Sequence, residues 1–136
     1  MSKHFVSIAV FSFLVGLNLQ PGDVVVLPRY CFYSLPHVVQ GMGLIPRWAP
    51  VDPATMALDP EQLDLEGAAA VVLIHPFGQV GPVAKLRDRC DAASIPLIED
   101  GSQATGGALD AQRVGSLGKA GVFSMVSGKN LQTFGG

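Results

Sequence analysis

Glu99 and Asp100 close an apolar run that begins at Pro96, and Gly101-Ser102-Gln103 follows them directly. A second short apolar run, Gly121-Val122-Phe123-Ser124, leads through Met125-Val126-Ser127-Gly128 to Lys129. Each run reads as a brief buried strand that delivers polar side chains at its carboxyl end, where open parallel sheets hold ligands. The residue types suit a specific chemistry. The Lys129 amine can form an imine with an aldehyde, and the Asp100 carboxylate can pair with a cationic ring nitrogen and keep it protonated. Ser124 and the neighbouring glycines can meet a phosphate. These three requirements coincide in pyridoxal phosphate, for which a Schiff-base lysine and an acidic partner to the pyridinium are the expected protein contributions.

Taken singly, these residues have plainer readings. Asp100 alone would cap the turn that follows a strand; the company of Glu99, Gln103 and Lys129 favours the cofactor role. Lys119 is a rival imine former in principle, but it immediately precedes the apolar run at 120–124 and reads as a rim lysine. Lys129 instead sits in a glycine-containing loop that lets the backbone approach a ligand closely. The imidazole of His75 titrates near neutrality, yet no second catalytic group is attached to it in sequence. A structural or supporting role is therefore favoured over direct catalysis. His37, inside a helical pattern, and His4, near the terminus, have weaker claims.

The elements that must position this set follow from periodicity. Residues 5–17 are apolar, too few to span a bilayer, and lead into Asn18-Leu19-Gln20-Pro21-Gly22-Asp23 without a small-x-small cleavage pattern. They read as a buried helix ahead of a turn. A β-branched strand is expected at 23–27, then a segment at the sheet's carboxyl edge, a helix over 35–42 and a strand over 44–48. Asp59-Pro60-Glu61 reads as a helix start, with Asp59 as cap and Pro60 in the first turn. Residues 68–74 are almost purely apolar, as a central parallel strand buried on both faces should be. Residues 82–93 are amphipathic, with Val83, Leu86 and Cys90 on one face. This alternation predicts an α/β fold, a mostly parallel sheet with helices on both faces.

Composition narrows the function classes. At 136 residues the chain can bury a real core in one domain. Hydrophobic residues make up 49% and charged ones 15%, which argues against disorder and fits strands buried on both faces, or a surface made for a partner. A net charge of −2 without a basic cluster leaves no footprint for nucleic acid. Cys31 and Cys90 lack metal-ligand spacing and read as reduced, partly buried thiols of a cytoplasmic protein. Neither a metal nor a membrane partner is expected.

Five stretches occur in a telling order: Pro21-Gly22-Asp23 through Pro28; His75-Pro76-Phe77-Gly78-Gln79; Ile98-Glu99-Asp100-Gly101-Ser102-Gln103-Ala104; Arg113-Val114-Gly115-Ser116-Leu117-Gly118; and Phe123-Ser124 through Gly128-Lys129-Asn130-Leu131. Together they resemble the DegT/DnrJ/EryC1/StrS family of sugar aminotransferases, within the aspartate-aminotransferase-like fold. The resemblance implies that Phe32 stacks on the pyridine ring, covering its π-face and excluding water. It also implies that Gln103 contacts the cofactor's phenolic oxygen, that Ser124 binds the phosphate, and that residues 108–116 form a polar hairpin. Counting back without gaps from Pro21 places Val6 and Ser7 where the family has a Gly-Thr or Gly-Ser pair, so Ser7 is a further phosphate ligand and Val6 a departure. Thr105 stands where the family often has histidine, and Lys119 where an acidic residue is commoner. Some members carry histidine in place of Lys129 and act as dehydratases; the lysine favours transamination.

The implied activity is transfer of an amino group from an amino acid, glutamate being the expected donor, to a keto-sugar nucleotide. A cyclitol or another sugar precursor is the alternative acceptor. The resemblance further implies a homodimer in which each subunit completes the other's site. Family members continue past the lysine into a smaller domain, so residues 1–136 are expected to be a partial PLP-binding large domain, a fragment. A third reading is a non-catalytic remnant or interaction module of the same fold, which predicts self-association and no stabilisation by the cofactor.

Overall fold

The computed structural model describes residues 5–125 together with 129 and 131, the side chains of 5–8 excepted. Along the chain run α1 (Phe5–Gly16), β1 (Val24–Pro28), α2 (Ser34–Gly41), β2 (Ile45–Ala49), β3 (Ala68–Ile74), α3 (Val83–Ala92), β4 (Leu97–Asp100), the short strands β5 (Ala108–Leu109) and β6 (Gln112–Arg113), and β7 (Ala120–Val122). Five strands form one sheet in the order β2-β1-β3-β4-β7, and every neighbouring pair is parallel. The predicted α/β fold with helices on both faces is what the chain adopts.

Alternation along the strands explains why both faces are apolar. Val25 and Leu27 of β1, Ala70, Val72 and Ile74 of β3, Ile98 of β4 and Val122 of β7 pack under Val10 and Leu14 of α1 and Leu35 and Val39 of α2. Their neighbours Val26, Val71, Leu73 and Leu97 point the other way, onto Val83, Leu86 and Cys90 of α3. Those three α3 residues recur at helical spacing, which makes a single stripe. The same alternation decides the fate of the acidic pair. Leu97 joins the α3 face and Ile98 the α1/α2 face, so Glu99 and Asp100 fall on opposite sides of the sheet.

Several expectations need adjustment. α1 is not buried all round: Val10 and Leu14 are enclosed while Phe11 and Val15 are exposed, because the helix presents only one side to the sheet. The Asp59-capped segment is a single 3-10 turn, Pro60–Gln62; Asp59 Oδ1 accepts from the Glu61 amide at 2.9 Å. It goes no further because Leu63 turns extended and enters the α3-side core. β7 stops at Val122 rather than 124, since its partner β4 ends at Asp100 and leaves nothing further to pair with. The strands expected at 23–27 and 44–48 and the helix expected over 35–42 are each offset by one residue, as β1 runs Val24–Pro28, β2 Ile45–Ala49 and α2 Ser34–Gly41. The polar hairpin does form, and its turn residues Asp110 and Ala111 both adopt positive φ, 51° and 64°, which matches the twist of a tight two-residue hairpin. Among the described residues no helix is long and apolar enough to cross a membrane.

Candidate functional site

Asp100 is the last residue of β4, at the carboxyl edge of the sheet. The His75 amide donates to its carbonyl at 3.1 Å, and the Gly101 amide donates to the Val122 carbonyl at 2.9 Å, so the edge is tied to β3 and β7 together. Its side chain is only 9% exposed. Oδ1 accepts from the Ser102 amide at 3.0 Å, so Asp100 does cap its turn, as the plain reading held. Capping does not offset the burial: desolvation raises the carboxyl pKa, and the hydrogen bonding from Ser102 and the nearby Lys129 ammonium counter it only in part. Of the two Ser102 donors, only the amide has hydrogen-bonding geometry; its hydroxyl is buried without a partner.

Lys129 is half-buried, and its charge is near enough to act on Asp100. Ser124 lies two residues beyond the end of β7. It is 2% exposed, and among the described residues its Oγ also has no hydrogen-bond partner. A buried hydroxyl left in that state is destabilising by about 1–3 kcal/mol. Lys119 is set apart. Its amide donates to the Leu97 carbonyl at 2.7 Å, at the opposite end of β4, and its side chain is exposed, as a rim lysine should be.

The aromatic wall comes from the segment that leaves β1. Phe32 is 47% exposed, at the rim rather than in the core, and its ring lies 4.6 Å from that of Tyr33. Cys31, next to it, places the segment beside the acid: burial raises the thiol pKa first, and the Asp100 charge raises it further. Tyr30 reaches the ring of Phe77, 5.6 Å away.

Gln103 is tied to Phe77. Its Oε1 accepts from the Phe77 amide at 3.0 Å. Phe77 itself holds a left-handed φ of 55° with its ring 64% exposed, a strained conformation of the kind that clusters at ligand sites. Ser7 belongs to the first turn of α1, and its side chain lies outside the described residues.

On the other face of β4, Glu99 is fully buried and densely paired. Oε1 accepts from the Leu117 amide at 2.9 Å and the Gly118 amide at 2.6 Å. Oε2 accepts from the Gly115 amide at 2.9 Å and lies 3.2 Å from His75 Nε2. The Gly81 amide donates to His75 Nδ1 at 3.0 Å, so Nε2 carries the proton and donates to Glu99. Burial works to raise the Glu99 pKa, but the hydrogen bonds from His75 and from the Gly118, Gly115 and Leu117 amides outweigh it and lower the pKa. His75 is thus structural, as its sequence context favoured. The specific role of Glu99 was not read from the sequence. The available signals were an acid at a core-facing position of an apolar strand, and a glycine-rich loop whose amides need an acceptor.

A cation for Asp100, a carbonyl for Lys129 and an anionic oxygen group for Ser124 would complete this edge of the sheet. The sequence matches the DegT/DnrJ/EryC1/StrS aminotransferase family over residues 7–136. L-glutamine:2-deoxy-scyllo-inosose aminotransferase of Streptomyces lividus is 36% identical over 121 residues, which cover 87% of this chain and 28% of that protein. GDP-perosamine synthase of Vibrio cholerae is 26% identical over 92% of this chain and 35% of its own length. Among solved structures, the aminotransferase from Psychrobacter cryohalolentis superposes with a TM-score of 0.87 at 26% identity, covering 93% of this chain and 33% of that one. The chain therefore spans about a third of these relatives, and it belongs to the DegT/DnrJ/EryC1/StrS aminotransferase family.

Proposed function

We propose that this chain is the cofactor-holding part of a pyridoxal-phosphate-dependent aminotransferase. The observation that carries the reading is the conjunction at one sheet edge of a buried acid with a raised pKa, a lysine whose charge reaches it, and a buried serine hydroxyl without a partner. Pyridoxal phosphate is implied by the family, and its pyridine nitrogen, aldehyde and phosphate answer those three groups in turn. When bound, it supplies an electron-withdrawing ring that accepts charge from the substrate carbon as a proton leaves.

The residues divide the remaining work. Asp100 holds a proton on the ring nitrogen: its burial makes an uncompensated carboxylate unfavourable, so a cation beside it is strongly preferred. Lys129 would hold the aldehyde as an imine, with loss of water, and its amine, when free, would hold and move a proton. Gln103 would contact the phenolic oxygen. Phe32 covers the ring face and excludes water. Ser124, with Ser7 from α1, binds the phosphate.

For the reaction, an amino acid such as glutamate gives its amino group to a ketone on a polyhydroxylated ring, with a keto-sugar nucleotide as acceptor. The S. lividus relative favours a second acceptor class, a cyclitol ketone, with glutamine as donor. The working form is proposed to be a cytoplasmic homodimer. A titration of the protein with pyridoxal phosphate, followed by visible absorbance, tests the reading. Saturable binding that Asp100→Asn and Ser124→Ala each weaken supports it; equal binding by all three would overturn it. Amino transfer from glutamate or glutamine to a keto-sugar nucleotide, compared with 2-deoxy-scyllo-inosose, separates the acceptors.

A further inference from the structure

The Arg113-Val114-Gly115-Ser116-Leu117-Gly118 stretch supplies none of the groups assigned to the cofactor, yet it is packed hard against the segment that does. Gly115 has φ of 82°, and a Cβ built there would lie 2.5 Å from Phe123 Cζ and 2.7 Å from Phe123 Cε2. A Cβ on Gly101 would meet the same ring, 2.6 Å from Cε1, and Val114 Cγ1 at 2.7 Å. The Phe123 ring is therefore wedged between the residue that follows Asp100 and the loop at Gly115. Ser124 is the next residue. Besides the Val114 amide bond to the Gly107 carbonyl, Glu99 ties the loop down, taking three of its amides and one His75 proton on two carboxylate oxygens.

From this geometry we infer that Glu99 is a positioning residue for the phosphate side of the cofactor site, acting from the opposite face of the sheet. Glu99 fixes the 113–118 loop, the loop fixes the Phe123 ring through Gly115, and the ring sets where the Ser124 hydroxyl stands relative to Asp100. The connection is short because Glu99 and Asp100 are consecutive and pair in register with Gly121 and Val122. Phe123 is 37% exposed, yet both glycines abut the ring on its inner side, so a shift of the loop there bears directly on it. The clamp rests on the hydrogen bonds alone; only its consequence for pyridoxal phosphate depends on the proposed function.

Glu99→Gln is a severe yet nearly isosteric test. Each carboxylate oxygen accepts from two N–H donors, so an amide nitrogen at either position faces two donors it cannot satisfy. Nuclear magnetic resonance of the full chain, with and without pyridoxal phosphate, reads the result. In the wild type, the amides of Gly115, Leu117 and Gly118 should exchange far more slowly than that of exposed Ala111. In Glu99→Gln they should exchange more than about tenfold faster, the amide signals of Phe123 and Ser124 should shift while that of Val72 stays, and cofactor binding should weaken about tenfold. Phe123→Leu provides a variant with the clamp intact: the three amides stay protected while Ser124 shifts and binding weakens. Fast exchange of the three amides in the wild type would overturn the clamp. An unmoved Ser124 in Glu99→Gln or, should that variant not fold, in Phe123→Leu would overturn the positioning role. If Ser124 responds as stated while the wild type binds no pyridoxal phosphate, the positioning role stands and the proposed function falls.

Discussion

Glu99 and Asp100 are neighbours on one strand, both carboxylates and both buried, yet their environments push them in opposite directions. On the α3 face, four N–H donors surround Glu99, and its pKa falls despite burial. On the α1/α2 face, a single backbone amide reaches Asp100 Oδ1, and its pKa rises with burial. The difference separates a carboxylate that the chain satisfies from one that it leaves waiting. A buried charge with a full set of donors holds structure together; one without them is a standing cost that a ligand can remove.

Replacing each residue should therefore have opposite effects. Glu99→Gln should lower stability by about 3–5 kcal/mol, the range for breaking a buried charge away from its partners, seen as a lower urea midpoint. A smaller loss, about 1–3 kcal/mol, is expected for Gly115→Ala. That change leaves Glu99 untouched but forces a left-handed φ on alanine and drives its Cβ into Phe123.

Asp100→Asn should raise stability of the cofactor-free chain by on the order of 1 kcal/mol, a few degrees of Tm, while abolishing the added stability that pyridoxal phosphate gives the wild type. Asparagine keeps an oxygen for the Ser102 amide and loses only the charge, so the change separates turn capping from charge pairing.

The pH dependence should have the same split sign. Glu99, with its pKa lowered by folding, contributes stability present above its unfolded pKa of about 4.3 and lost as pH falls through the folded value. Asp100, with its pKa raised, favours folding fully below its unfolded pKa of about 3.9, and that contribution fades as pH rises through the folded value. Urea midpoints between pH 3 and pH 8 should thus show a steeper acid loss in Asp100→Asn than in the wild type, and a shallower one in Glu99→Gln. The smallest effect belongs to Ser124→Ala. Removing an unpartnered buried hydroxyl should leave the cofactor-free chain unchanged or steadier by less than about 1 kcal/mol, yet weaken pyridoxal phosphate binding in an absorbance titration.

What the sequence disclosed, and what it did not, divides along the same line. β3 emerged at its observed limits because a strand buried on both faces is an unbroken apolar run, bounded by His75 and Gly67. The stripe of Val83, Leu86 and Cys90 announced α3 for a similar local reason. Asp100 and Ser124 were legible as polar residues at the carboxyl ends of buried strands, which is where β4 and β7 leave them. The partners of Glu99 were not, since they arrive from a loop far along the chain and through backbone amides, which no residue type advertises. The 3-10 turn after Asp59 ends where tertiary burial of Leu63 overrides a good helix start. Phe77 carries no sign in its identity that its φ is positive; only its bond to Gln103 shows what holds it there.

Borohydride reduction of the protein with pyridoxal phosphate, followed by peptide mapping, tests the central claim most directly. Label should concentrate on Lys129 and fall sharply in Asp100→Asn, because the nearby acid selects the lysine. Label spread evenly over Lys3, Lys85, Lys119 and Lys129, unchanged by that substitution, would contradict it.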